Sequence, residues 1–172
     1  MSKIAVLMTS MFEDVEYTKP AEQFKNANHS LTVISTEAGQ ELTGKQGEAK
    51  VISDKGIDEV NAEDFDVLFI PGGVSPDELR ADDRFVAFTK KMMFLNKKTL
   101  VICHGPQLLI SAEVLNGRNI TGFKSIQTDL KYAGANVFDE EVVVCGGNLV
   151  SSRNPDDIPA FIEKSLSVMD NR

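Results

Sequence analysis

Cys103 stands where the apolar run Thr99 to Ile102 ends, and it is followed by His104-Gly105-Pro106 and an apolar stretch, Gln107 to Ala112, with helical spacing. A sulfur at a strand-to-helix turn lies near backbone N–H groups that favour an anion, and thiolates in such positions have pKa values below the free value of about 8.5. Gly105 lets the chain turn sharply and admit a ligand, and Pro106 at a helix start loses no needed donor. The pattern is half of a nucleophile elbow: the second glycine of G-x-nucleophile-x-G is present, while Val101 occupies the place of the first. The sequence therefore predicts a nucleophilic thiolate with a low pKa. Side chains of neighbours at a sharp turn usually point different ways, so His104 is not the obvious general base. Its backbone N–H, one residue after the nucleophile, suits an oxyanion hole, with a second donor from Gly73.

Two further segments carry chemistry-bearing residues at predicted strand ends. Glu13 and Glu16 lie three apart at the start of a helix, where acids are favourable for dipole reasons alone. One of them, protonated, would donate to the Cys103 thiolate and stabilise it; periodicity does not decide which. Pro71-Gly72-Gly73 closes another apolar run and leaves N–H groups free to face a cleft. Cys145 has no flanking chemistry and reads as a core or surface thiol, His29 as a loop residue, and Asp77 and Arg153 as surface charges.

The elements that must position these residues follow from hydrophobic patterning. Ile4 to Met8, Leu31 to Ile34, Val67 to Ile70 and Thr99 to Ile102 are continuous apolar runs of the kind buried on both faces of a parallel sheet. Between the first two, Phe12 to Ala27 reads as a crossover helix that Pro20 must kink or restart. Residues 37 to 53 hold Gly39, Gly44 and Gly47 between short β-prone pieces and predict a small hairpin. Helical periodicity resumes at Phe85, Phe88, Met92 and Leu95, strands are expected at Val142 to Val144 and Leu149 to Ser151, and Pro159 to Val168 closes the chain as a helix. This alternation predicts one α/β domain over residues 1–172 built on a doubly wound parallel sheet. In such sheets ligands bind beyond the C-terminal strand ends, so Glu13 to Glu16, Pro71 to Gly73 and Cys103 to Gly105 are expected to converge.

Composition narrows the function. The net charge of −8 and the absence of a Lys/Arg-rich run argue against a nucleic-acid partner. No apolar segment reaches the roughly 18 residues of a membrane span or forms a signal h-region, which leads to an expectation of a cytoplasmic protein without a membrane partner. Two well-separated cysteines form neither a disulfide scaffold nor a metal-ligand spacing, so no metal is expected.

Phe12-Glu13-Asp14-Val15-Glu16, Pro71-Gly72-Gly73 and Ile102-Cys103-His104-Gly105-Pro106-Gln107 together resemble the PfpI family of intracellular proteases and amidases, within the superfamily of the parkinsonism-linked protein deglycase. Thr43-Gly44-Lys45, Ser111-Ala112, Ala133-Gly134-Ala135 and Ser151-Ser152-Arg153 extend the resemblance over nearly the whole chain. It implies a flavodoxin-like, mostly parallel sheet sandwiched by helices, with Cys103 as nucleophile, His104 beside it and Glu16 as the carboxyl that touches the sulfur, Glu13 being secondary. It implies cofactor-independent chemistry and a homo-oligomer, a dimer or larger. In some members an acid at the position of Asp77 reaches the histidine from a neighbouring subunit, and the Asp found here is shorter than the Glu of the archaeal protease. The activities implied are peptidase or amidase, glyoxalase, and deglycation, on a small dicarbonyl, glycated or peptide substrate. They share attack of a thiolate on an electrophilic carbonyl. Asn28 replaces the glycine many relatives carry, which should alter a helix end rather than the site.

Other classes compete less well. A glutamine amidotransferase needs a catalytic His later in the chain, and none follows His104. A phosphate-binding module lacks a glycine-rich cradle after the first strand, where Ser10-Met11-Phe12-Glu13 would repel an anion. The rival that keeps the same thiol is a redox sensor or chaperone-like stress protein in which Cys103 is oxidised rather than turned over.

Overall fold

In the computed structural model, which describes residues 1–170, the apolar runs become the parallel strands of a central sheet. In chain order the elements are β1 (Lys3–Leu7), α1 (Asp14–Asn26), β2 (Ser30–Ser35), β3 (Glu41–Thr43), β4 (Lys50–Ile52), β5 (Lys55–Gly56), β6 (Val67–Ile70), α2 (Ser75–Arg80), α3 (Asp83–Phe94), β7 (Lys98–Ile102), α4 (Pro106–Ser111), β8 (Asn119–Ile120), α5 (Gln127–Tyr132), β9 (Asn136–Val137), β10 (Val143–Cys145), β11 (Leu149–Ser152) and α6 (Ile158–Asp170). The main sheet has seven strands in the order β10-β11-β7-β6-β1-β2-β5, parallel except for β10. The hairpin expected within residues 37–53 is the antiparallel pair β3-β4, and β8-β9 form a separate short parallel pair.

Alternation along each strand divides the interior into two layers. Ala5, Leu7, Leu68, Ile70 and Val101 point to one face, where Phe85, Phe88 and Met92 of α3 and Leu108 and Leu109 of α4 cover them. Ile4, Val6, Phe69, Leu100 and Ile102 point to the other, against Tyr17, Ala21 and Phe24 of α1 and Ile158, Phe161 and Val168 of α6. Every strand residue just named is completely buried, as the continuous apolar runs require of a sheet covered on both sides. Among the described residues no helix is long and apolar enough to cross a membrane.

One expectation is corrected here and another is filled in. Helix α1 runs from Asp14 to Asn26 through Pro20 without a break. Tyr17, Pro20, Ala21 and Phe24 are all buried on its sheet-facing side, and that packing outweighs the lost hydrogen bond. His29 is in a loop as expected, but it is buried, and its Nδ1 accepts a hydrogen bond from the Ser2 N–H at 3.0 Å. Asn28 has φ +68°, the left-handed helix end that Asn tolerates better than most residues, so the missing glycine is absorbed there.

Candidate active site

The chain leaves β1 toward β2 on one side and later toward β6, β7 and β11 on the other, so the order reverses between β1 and β6. The loops that leave β1, β6 and β7 meet at this switch point. They are knitted by backbone bonds: Phe12 and Gly73 form an isolated antiparallel bridge, Val74 N–H donates to Met11 C=O at 2.8 Å, and Glu13 N–H donates to Gly72 C=O at 3.1 Å. Gly72 has no room for a side chain, because a Cβ there would fall onto the Glu16 carboxylate and 2.6 Å from the Cys103 Cβ.

Cys103 leaves β7 with its N–H still bonded to Ser152 C=O of β11 at 3.0 Å, and its own C=O accepts from Phe123 N–H at 2.8 Å. Held at both ends, it adopts φ +63°, a left-handed conformation that ordinary residues avoid, and this strain turns the sulfur out over the strand ends. The backbone N–H groups of Gly73 and His104, the two donors expected to form an oxyanion hole, act on the sulfur and favour its charged form. Glu16 is completely buried; its Oε1 accepts from Gly72 N–H at 3.0 Å, its Oε2 has no hydrogen-bond partner among the described residues, and the carboxyl group interacts with the Cys103 thiol.

Burial, reinforced by the charge of Glu13, raises the Glu16 carboxyl to about 8, so it is protonated at neutral pH. Burial also pushes the Cys103 thiol up, with the Glu16 charge adding to it, while the Gly73 and His104 N–H groups pull the other way. This corrects the expectation of a lowered thiol pKa: the turn supplies the anion-favouring donors, but the same turn is buried at the edge of the core, and desolvation is the larger effect. The two groups form one buried acid pair whose protons leave in coupled steps.

The His104 imidazole does reach the sulfur, with Nδ1 3.3 Å from Sγ. It is held there by stacking on Phe123, the ring centroids 4.6 Å apart and the planes 29° from parallel. The left-handed turn at Cys103 brings adjacent side chains together, which the sequence reading did not expect. Burial, followed by the charge of Lys45, lowers the His104 pKa against an opposing pull from Asp77, and the ring is neutral at pH 7.

These residues open onto a cavity of about 330 Å³, lined also by Glu13, Lys45, Val74, Asp77, Gln107 and Pro155. Glu13 is engaged by the Gln46 side-chain amide at 3.1 Å and is further from the chemistry than Glu16. Asp77 of the same chain lines the cavity and acts on His104. Phe123 and Lys45 had no assigned role in the sequence. Phe123 carries no local signal, and its part depends on a stack between segments 19 residues apart. Arg153 is more than a surface charge: its Nε and Nη2 grip Asp157 at 3.0 and 3.1 Å, beside cavity-lining Pro155. Among the described residues no cluster of His, Cys, Asp and Glu has the arrangement of a metal site.

Comparison with known proteins bears on the family and the fold. The DJ-1/PfpI family profile matches residues 2–168. General stress protein 18 of Bacillus subtilis is 59% identical over 168 residues, covering 98% of both chains. Protein/nucleic acid deglycase 2 of Escherichia coli is 52% identical over 167 residues, covering 97% of both. A ThiJ/PfpI domain protein from Brachyspira murdochii superposes with a TM-score of 0.92 at 27% identity, over 99% of this chain and 97% of that one.

Proposed function

The chain belongs to the DJ-1/PfpI family, and from that premise we propose that it is a stress-protection enzyme that uses Cys103 to attack electrophilic carbonyls, with glyoxalase or deglycase chemistry ahead of peptide hydrolysis. One observation carries this reading: a buried carboxyl that keeps its proton up to about pH 8 lies against a sulfur on which the Gly73 and His104 backbone N–H groups act and which His104 Nδ1 approaches to 3.3 Å. While Glu16 keeps its proton, a negative charge on the sulfur meets three donors, the Gly73 and His104 N–H groups and the Glu16 O–H. Neutral His104, with its proton on Nε2 and Nδ1 3.3 Å from Sγ, takes the thiol proton.

The thiolate then adds to the carbonyl carbon. A C–S bond forms, the carbonyl π pair moves to oxygen, and that oxygen takes the Glu16 proton, giving a thiohemiacetal or its amide equivalent. As the sulfur loses its charge, the Gly73 and His104 N–H groups are released to the developing oxyanion, each such donor typically contributing about 3 kcal/mol. On a dicarbonyl, Glu16, now a carboxylate, takes the carbinol C–H proton while His104 gives its proton to the adjacent carbonyl oxygen; Glu16 then protonates the second carbon of this enediol and takes back the hydroxyl proton of the first, leaving a thioester that water hydrolyses to a hydroxy acid and the free thiol. A 330 Å³ cavity suits a small dicarbonyl or the tip of a modified side chain better than a folded polypeptide.

A second reading rests on the same sulfur. Its N–H donors and protonated neighbour would equally hold the oxygens of a sulfenic or sulfinic acid, so oxidation of Cys103 is the stress response if turnover is absent. The deciding experiment follows lactate formation and methylglyoxal loss over many equivalents per chain, in wild type, Cys103→Ala and Glu16→Gln. Multiple turnovers that disappear in Cys103→Ala support the enzyme; equal background rates in wild type and Cys103→Ala reject the glyoxalase reading.

A further inference from the structure

The loop joining β3 to β4 runs past the mouth of the cavity and is fastened from below by one buried acid. Asp14 is 2% exposed, and its carboxylate accepts from the backbone N–H groups of Gln46 at 2.8 Å, Glu48 at 3.0 Å and Ala49 at 2.8 Å. Burial pushes its pKa up, but these N–H groups outweigh it and hold the carboxyl below its ordinary range. Gly44 lies so close to this carboxylate that no side chain fits there. The loop is tied to the site at its other end too: Met11 N–H donates to Thr43 C=O at 2.8 Å, and Lys45 N–H donates to Phe12 C=O at 2.7 Å.

What this clasp delivers is Lys45, among the described residues the only Lys or Arg lining the cavity that holds Cys103. Among the described residues, no carboxylate forms an ion pair with its ammonium. Its charge is felt inside the site, at Glu16 and at His104. Of the neighbouring acids, Glu16 is protonated at neutral pH, Glu13 accepts from the neutral Gln46 amide and still acts on Glu16 through its charge, and Asp77 acts on His104, so Lys45 is the group that offsets these acids toward an incoming anion. An ammonium without a counter-ion, fixed by its backbone at the mouth of a reactive cavity, is an anion-recognition group.

We infer that Lys45 is a specificity-determining residue that favours carbonyl substrates bearing a carboxylate or similar anionic group, and that Asp14 is the positioning residue that holds it over Cys103. The inference rests on the reading of Cys103 as the reacting group. It is tested by a pair of probes that differ in charge and hardly in shape. Iodoacetate and iodoacetamide both alkylate a thiolate with loss of iodide, and the ratio of their second-order rates at Cys103, measured in a Cys145→Ser background, reports how the cavity treats an anion. Lys45→Met is expected to lower the ratio about tenfold, Lys45→Arg to keep it, and 0.5 M salt to compress it in the parent protein but not in Lys45→Met. Asp14→Asn, which weakens the clasp and leaves Lys45 in place, is expected to lower the ratio in the same direction. Lys45 is exposed, so its variants report even if Asp14→Asn does not fold. An unchanged ratio in Lys45→Met overturns the assignment and leaves the thiol chemistry standing. A Cys103 inert to both reagents in the native protein would instead remove the reading on which both rest.

Discussion

Cys103 and Cys145 lie at opposite rims of one sheet. Cys103 follows the C-terminal end of β7, whereas β10 runs antiparallel and carries Cys145 to the rim where β11 and β7 begin. At Cys145 burial raises the thiol, but the Arg118 guanidinium at 3.2 Å and the Asn119 N–H at 3.3 Å more than compensate, so its pKa is lowered. At Cys103 burial prevails and the pKa is raised. The more acidic thiol is thus the one outside the cavity. A thiolate stabilised by a permanent cation is populated but a weaker nucleophile, because nucleophilicity falls with pKa. One that shares its proton with a carboxyl is scarcer, more nucleophilic, and has an acid beside it for the next step. Acidity alone does not mark the working cysteine.

The largest expected effect tests that contrast directly. Cys103→Ala should lower kcat/KM toward methylglyoxal by at least about 10³-fold, and Cys145→Ala should leave it within about twofold, both read by lactate formation. Comparable losses in the two variants would erase the distinction. Next in size, Glu16→Gln should reduce kcat by roughly 10²-fold or more, since the amide cannot carry a proton to the carbonyl oxygen. Its pH profile sharpens the assignment. Wild-type activity should decline above about pH 8, where Glu16 loses its proton and its charge opposes the thiolate, and the residual Glu16→Gln activity should lack that limb.

A smaller effect belongs to the other rim. Arg118→Met should slow iodoacetamide alkylation of Cys145 at pH 7 by about tenfold while leaving Cys103 unchanged, measured for each site by mass spectrometry. The smallest concerns stability. Between the ordinary Glu value of 4.5 and about 8 the folded chain keeps a Glu16 proton that the unfolded chain sheds, so wild-type stability falls as pH rises through that window. Glu16→Gln removes the penalty. Its Tm should match wild type near pH 4.5 and exceed it at pH 8 by about 10 °C.

The contrast between the cysteines also marks what could be read from sequence. The strands were legible because burial on both faces leaves an uninterrupted apolar signature, as at Val67 to Ile70, and the site because its residues cluster at three strand ends. Cys103-His104-Gly105-Pro106 carried its chemistry locally. The lowered pKa of Cys145 depends on Arg118, 27 residues away, and the stack of Phe123 on His104 and the clasp of Asp14 on residues 46–49 are likewise made between segments. Patterning reports which face a residue turns to the core and says little about which partner waits there. The raised pKa of Cys103 escaped for a related reason: the donors at a strand-to-helix turn are implied by local geometry, whereas desolvation is a property of the assembled core.

The left-handed backbone of Cys103 bears on how such a site would decay under relaxed selection. At φ +63° a side chain is strained, typically by about 1–3 kcal/mol, and on the proposed function the chemistry of the sulfur rewards keeping one there. A descendant freed from the reaction would therefore be drawn first to glycine at position 103, and β-branched residues would be the last to settle there.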